Sequence, residues 1–159
     1  MLPVIRLATP TDKVGLLGLL KDIELFPPEG LAEVSGLLVD WLKAGPGQDR
    51  MWLVDHDEAP KGIAYVVPEA QTDRTWNLLL IAMHPTLRGT GRGGQLLKAV
   101  EQQVVARSGR MLLVETSGTE GFERTRAFYR NRGYEQEARI RDFYTTGDDK
   151  IVFRKVLTS

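Results

Sequence analysis

The sequence has no cysteine and only two histidines, His56 and His84, among its 159 residues. The first absence excludes disulfides, thiolate zinc ligation and a cysteine nucleophile. The second excludes a multi-histidine metal site, so no metal is expected. Nowhere do 18 apolar residues run together, which argues against a spanning helix and against a membrane partner. The opening Met1-Leu-Pro-Val-Ile-Arg6 lacks the basic-then-apolar layout of a signal peptide. With cysteine missing as well, a cytoplasmic protein is expected. Net charge is also absent: 21 basic residues meet 21 acidic ones, so bulk attraction to nucleic acid is not expected.

What is present fits a globular chain. Apolar residues make up 42% and charged residues 26%, enough for a core without staples, and residues 1–159 read as a single domain. The balanced charge is unevenly spread. Residues 1–73 hold 6 basic and 12 acidic side chains, a net of −6; residues 74–159 hold 15 and 9, a net of +6. Such a split can give one chain an anion-attracting and a cation-attracting face.

Val4 to Ala8 reads as a strand, and Thr11 or Asp12 as the cap of a helix carrying Val14, Leu16, Leu17, Leu19, Leu20 and Ile23. The Phe26 to Gly30 segment, with Pro27 and Pro28, breaks it. A second helix is predicted from about Leu31 to Lys43, with Val34, Leu37, Leu38, Trp41 and Leu42 inward. Arg50–Val54 and Gly62–Val67 are predicted as an antiparallel pair joined across the polar segment Asp55 to Lys61. Thr75–Met83 is nearly all apolar and predicts a central strand covered on both faces.

A helix over Gln95–Val105 follows, with Leu96, Leu97, Val100, Val104 and Val105 as its buried stripe. Met111–Glu115 is the next buried strand, so the two strands around this helix are candidates for a parallel βαβ pair. Phe122–Arg132 reads as a short helix stopped at Gly133, before two closing strands, Tyr134–Tyr144 and Ile151–Leu157. The order is βααβββαβαββ. It describes an α/β fold of the α+β type, with a mixed central sheet of about seven strands and helices on both faces.

The informative element is Arg88-Gly-Thr-Gly-Arg-Gly-Gly94, between the buried strand and its helix. Glycines let the backbone turn tightly and approach a ligand closely. Their amides, with the helix dipole behind them, suit an anion, and Arg88 and Arg92 add charge for phosphate oxygens. Two layouts compete. Gly89, Gly91 and Gly94 satisfy the dinucleotide pattern, and Glu115 stands 21 residues beyond Gly94 where a ribose ligand would be sought. In that fold, however, the strand runs straight into the first glycine, whereas Met83 to Arg88 intervenes here. Only 44 residues follow Glu115, too few for the remainder of a doubly wound domain. A Walker loop fails because no Gly-Lys-Ser/Thr follows the glycines.

The second layout fits. A leucine-rich strand ending Ile81-Ala-Met-His-Pro85, then Arg88-x-x-Gly91-x-Gly93, resembles the acetyl-CoA loop of the GNAT superfamily of N-acetyltransferases. Ala127-Phe-Tyr-Arg-Asn-Arg-Gly-Tyr134 is similar to the family's short helix, with a Tyr four residues before a Gly-aromatic pair, and the opening Ile5 to Asp12 is also typical. The resemblance covers essentially the whole chain and does not specify the acceptor.

It implies acetyl-CoA as co-substrate, with the pyrophosphate on the amides of Arg88, Gly89, Thr90, Gly91, Arg92, Gly93 and Gly94. The pantetheine arm would pair with the strand edge near Ile81 and Met83. In the family this strand splays from the next, which would open a cleft between Ile81–Met83 and Val114–Thr116. The implied reaction is direct acetyl transfer to an amine, and the acidic N-terminal half favours a cationic acceptor, a small molecule or a peptide. The oxyanion would take a backbone amide near Met83. Tyr129 matches the family tyrosine that donates towards the leaving sulfur, and Glu115 could accept a proton directly or through water. A homodimer is implied by family habit alone. A non-catalytic acyl-CoA-binding module of the same fold is the alternative.

The remaining candidates carry blander readings. Asp142, Tyr144 and Glu29 could line an acceptor site but read first as surface groups. His84 reads as a loop hydrogen-bonding residue and His56 as a hairpin residue. Phe128, Trp41, Trp52 and Trp76 read as packing. Where many family members carry Asn seven residues before the tyrosine, this chain has Phe122. Arg124, Arg126, Arg130 and Arg132 make the short helix basic, offset by Glu120, Glu123, Glu135 and Glu137, so no nucleic-acid partner is expected.

Overall fold

The computed structural model describes residues 3–157. Seven strands form one mixed sheet: β1 (Val4–Leu7), β2 (Met51–Asp57), β3 (Ala59–Pro68), β4 (Thr75–Met83), β5 (Met111–Ser117), β6 (Glu135–Thr145) and β7 (Asp148–Val156). Their order across the sheet is β1-β2-β3-β4-β5-β7-β6. Four helices complete the predicted order: α1 (Lys13–Asp22), α2 (Pro28–Ala44), α3 (Arg92–Ala106) and α4 (Glu123–Arg130). No helix among the described residues is long and apolar enough to cross a membrane.

The chain falls into two compact units, Met1–Val67 with Leu80–Val100 and Pro68–Leu79 with Glu101–Ser159. All three divisions fall inside an element, between Val67 and Pro68 of β3, between Leu79 and Leu80 of β4 and between Val100 and Glu101 of α3.

In the first unit, β2 pairs antiparallel with β1 and with β3, as the hairpin prediction required. The core gathers Leu16, Leu19, Leu20 and Ile23 of α1, Val34, Leu38 and Leu42 of α2, and Trp52, Val54, Ile63, Tyr65 and Leu80 of the strands. Residues 34, 38 and 42 follow one another at four-residue steps on a single helix face. Leu37 and Val14 fall off their stripes and are exposed, contrary to the sequence expectation for Leu37.

Two boundaries move for identifiable reasons. The helix α2 starts at Pro28, three residues before the predicted Leu31. A proline at the first helical position loses no hydrogen bond, so it opens this helix instead of merely ending the previous one. Strand β2 runs on to Asp57, leaving only Glu58 between it and β3. Asp55 is thus a strand residue, not part of a polar connection.

In the second unit, β4 and β5 form the predicted parallel pair, from Thr75 opposite Met111 to Leu78 opposite Val114. On its other edge β5 pairs antiparallel with β7, which pairs with β6. Leu112, Val114, Ile151 and Phe153 are buried there, whereas Val105 of α3, expected on the buried stripe, is exposed because it lies about 100° round the helix from the buried Val104. The expectation that β4 is covered on both faces holds as far as Leu78. Leu79 is 52% exposed, and Ile81, Ala82 and Met83 are only partly buried.

Candidate active site

After β4 the chain turns through Pro85–Leu87, where the His84 ring nitrogen accepts the Thr86 N–H at 3.2 Å. His84 therefore serves the turn, and its own N–H donates to Lys61 O at 2.7 Å. The glycine loop follows. Thr90 donates its hydroxyl to Leu87 O. Gly89 and Gly91 adopt φ of +78° and +85°, the left-handed region, with open space where a side chain would stand.

The helix α3 begins at Arg92, three residues earlier than Gln95. Arg92, Gly93 and Gly94 are thus its first turn. Amides in a first turn lack carbonyl partners four residues back, so those of Gly93 and Gly94 have no intrahelical acceptor and suit an anion. Arg88 is exposed, and it forms no ion pair among the described residues.

The Arg92 guanidinium is committed elsewhere. Its Nε donates to Asp55 Oδ2 at 2.9 Å and its Nη2 to Asp55 Oδ1 at 2.6 Å, while Nη1 donates to Gln95 Oε1. Asp55 is fully buried, and this pairing holds the Arg92 charge above its ordinary range. Of the two arginines read as charge for phosphate oxygens, only Arg88 is left uncommitted.

Beside this, Met83 packs against Gly62 of β3. A Cβ on residue 62 would lie 2.6 Å from Met83 Sδ and 3.0 Å from Asp55 Cβ. The approach of Asp55 Cβ favours glycine there, while the Met83 thioether can move aside.

In the second unit, Tyr129 sits on α4 and is 4% exposed. Its ring meets Phe128, Tyr134 and Phe153 at centroid distances of 5.3, 5.7 and 5.8 Å. Burial pushes its hydroxyl well above the ordinary phenol range, which makes it a weaker acid than a free phenol; at neutral pH it is protonated, as any phenol is, and can donate a hydrogen bond. Tyr134 is raised too, first by burial and then by its 2.6 Å hydrogen bond to Glu101, whose carboxylate also binds Lys155. The arginines of α4 and of the turn after it are largely used internally. Arg126 donates to the carbonyls of Ser117 and Thr119, Arg132 lies over the Phe128 ring, and Arg130 over Phe153.

Glu115 of β5 forms a 2.7 Å ion pair with Lys150 of β7, and Lys150 also lies 4.3 Å from the Phe143 ring centroid. Tyr144 is close enough to be affected. Burial first, and then the charges of Glu115 and Asp148, raise its hydroxyl. Asp142 takes the Gly147 N–H in the β6–β7 hairpin, and Glu29 is exposed in the first turn of α2. Phe122 is partly exposed just ahead of α4. The sequence reading missed Asp55. Its signal was a lone carboxylate directly after the apolar run Met51–Val54.

The sequence family described as an acetyltransferase (GNAT) domain matches residues 47–136. A GNAT-family protein from Desulfovibrio desulfuricans superposes with a TM-score of 0.91 at 30% identity, covering 99% of this chain and 100% of that one. The ribosomal-protein-S18-alanine N-acetyltransferase from Escherichia coli gives 0.78 at 17% identity, covering 99% and 96%. An aminoglycoside 6'-N-acetyltransferase solved with coenzyme A gives 0.77 at 18%, covering 98% of both. Among curated proteins, none matches the chain.

Proposed function

The chain belongs to the GNAT acetyltransferase family, and from that premise we propose that it transfers the acetyl group of acetyl-CoA directly to an amine. The loop from Arg88 to Gly94 carries this reading. Its left-handed glycines are open, the Gly93 and Gly94 amides in the first turn of α3 have no intrahelical acceptor, and Arg88 forms no ion pair among the described residues. A pyrophosphate fits that donor set. Acetyl-CoA, when bound, supplies an acetyl group activated as a thioester.

The roles of this chain's residues follow. The amides of Gly89, Gly91, Gly93 and Gly94 hold the pyrophosphate, because those of Arg88 and Thr90 already donate to the Pro85 and Leu87 carbonyls and that of Arg92 faces the Thr90 hydroxyl. The backbone of Ile81 and Met83 pairs with the pantetheine arm, a role supported by the partial exposure of that half of β4. The Met83 N–H donates to the acetyl oxygen. Tyr129, protonated at neutral pH like any phenol, donates its proton to the departing sulfur. Glu115 takes the proton of the incoming amine, directly or through water.

The acceptor is an amine because the acidic N-terminal half attracts cations. The names of the Escherichia coli and aminoglycoside enzymes, both N-acetyltransferases, point the same way. We also infer a cytoplasmic homodimer; an edge strand, β6, exposed along all 11 residues supports the self-association.

Calorimetric titration with acetyl-CoA, with NAD and ATP as controls, tests the donor. Selective micromolar binding of acetyl-CoA is expected, followed by free thiol release with an amine from a screened panel. No binding, or a preference for NAD, overturns the assignment of the loop.

A further inference from the structure

We propose that Asp55 is a positioning residue for the loop, acting through Arg92, an inference that rests on the phosphate-binding role given to residues 88–94. The observation is a buried, two-pronged ion pair. Asp55 is fully buried on β2, where its backbone is fixed between Ile5 of β1 and Gly62 of β3. Both of its oxygens face Arg92, at 2.9 and 2.6 Å.

Arg92 is the first residue of α3 and stands between Gly91 and Gly93, where the backbone is least restrained by its own side chains. A fork gripped at two nitrogens cannot rotate, and Gln95 holds the third nitrogen. The rigid strand thereby fixes the first turn of the helix whose amides would meet the pyrophosphate. A buried ion pair is a poor way to gain stability, because desolvating two charges costs about as much as their attraction returns. Its two-point geometry is what an apolar pair would not supply. The same pairing also turns the Arg92 charge away from the ligand, leaving Arg88 to meet phosphate oxygens.

Two donors separate positioning from mere scaffolding. Acetyl-CoA carries the pyrophosphate, whereas S-acetylpantetheine presents the same thioester without it. In Asp55→Asn, KM for acetyl-CoA is expected to rise at least about 10-fold with kcat within about 2-fold, while kcat/KM for S-acetylpantetheine stays within about 2-fold. Should that variant fail to fold, Asp55→Asn combined with Arg92→Gln replaces the charges with two neutral amides and removes the stranded charge. The same split is expected of it, by about 5-fold or more.

Equal losses with both donors would overturn the proposal, since a scaffold defect does not discriminate between them. No loss with either donor would overturn it as well. If the unaltered protein itself uses S-acetylpantetheine as well as acetyl-CoA, the loop does not bind pyrophosphate. The donor assignment then fails first, and it fails distinguishably.

Discussion

Glu115 and Lys150 form a 2.7 Å ion pair between adjacent antiparallel strands, with Lys150 two residues along β7 from the direct partner of Glu115, Val152. Both side chains are largely shielded, at 27% and 15% exposure. The carboxylate therefore has a structural employment besides the proposed chemical one, and the two can be separated. Glu115→Gln keeps the shape and removes the base. If Glu115 takes the amine proton, kcat is expected to fall about 100-fold while acetyl-CoA affinity is unchanged. The lost pairing is expected to lower stability by about 1–2 kcal/mol, read by urea unfolding. A stability loss with full kcat would leave Glu115 as a structural partner only.

Gly62 and Met83 make a second separable pair. In Gly62→Ala the new methyl would press on Met83 Sδ at 2.6 Å and on Asp55 Cβ at 3.0 Å. The thioether can swing aside, but the Asp55 Cβ is fixed in a strand. A loss of about 1–3 kcal/mol is expected from overpacking. Because Met83 is the proposed oxyanion donor, kcat should fall as well. Thermal unfolding and steady-state kinetics on the same preparation check both effects.

At Gly91 the expectation reverses, with little packing cost and a clear binding effect. Nothing lies within 4 Å of a Cβ built there, so Gly91→Ala meets no clash. Its φ of +85° still penalises an L side chain, by about 1–2 kcal/mol. The loop is expected to relieve that strain by rotating its amides, weakening acetyl-CoA binding about 10-fold or more. Gly91→Asn, which tolerates the left-handed region, is expected to retain more affinity. Calorimetry on the three proteins gives the ranking, and equal affinities would separate the loop from the ligand.

Legibility in the sequence followed the range of the interactions involved. The strand β4 and its glycine loop could be found because an apolar run and clustered glycines are local signals. The Ala127–Tyr134 block was visible for the same reason. Asp55 was not, because its partner lies 37 residues away and the aspartate alone looks like the polar start of a turn. Arg92 was placed in the right loop, but its side-chain direction depends on that distant carboxylate. The start of α2 was misplaced because proline has opposite meanings inside a helix and at its first position. Leu37 was assigned inward because apolar character alone cannot say which edge of a stripe meets solvent.

Tyr129 permits a test in which chemistry and stability move under different conditions. Burial raises its hydroxyl above the ordinary value of 10.0, and burial also leads the rise at Tyr134. Below pH 10 the unfolded and folded states hold these protons equally, so the stabilising contribution is fully present. As pH rises past 10 the unfolded chain gives up its protons first, and stability falls by about 1.4 kcal/mol per pH unit for each tyrosine. In Tyr129→Phe one of those protons is gone, so the stability lost between pH 9 and about 11 is expected to shrink by about 1.4 kcal/mol in total, read from unfolding curves across that range. At neutral pH the same variant keeps its ring contacts and loses only the hydroxyl proposed to donate to sulfur. Its kcat is expected to drop about 100-fold while acetyl-CoA affinity holds. A flattened slope with undiminished kcat would make Tyr129 a packed ring whose hydroxyl takes no part in transfer, and the acid would then have to be sought on another residue.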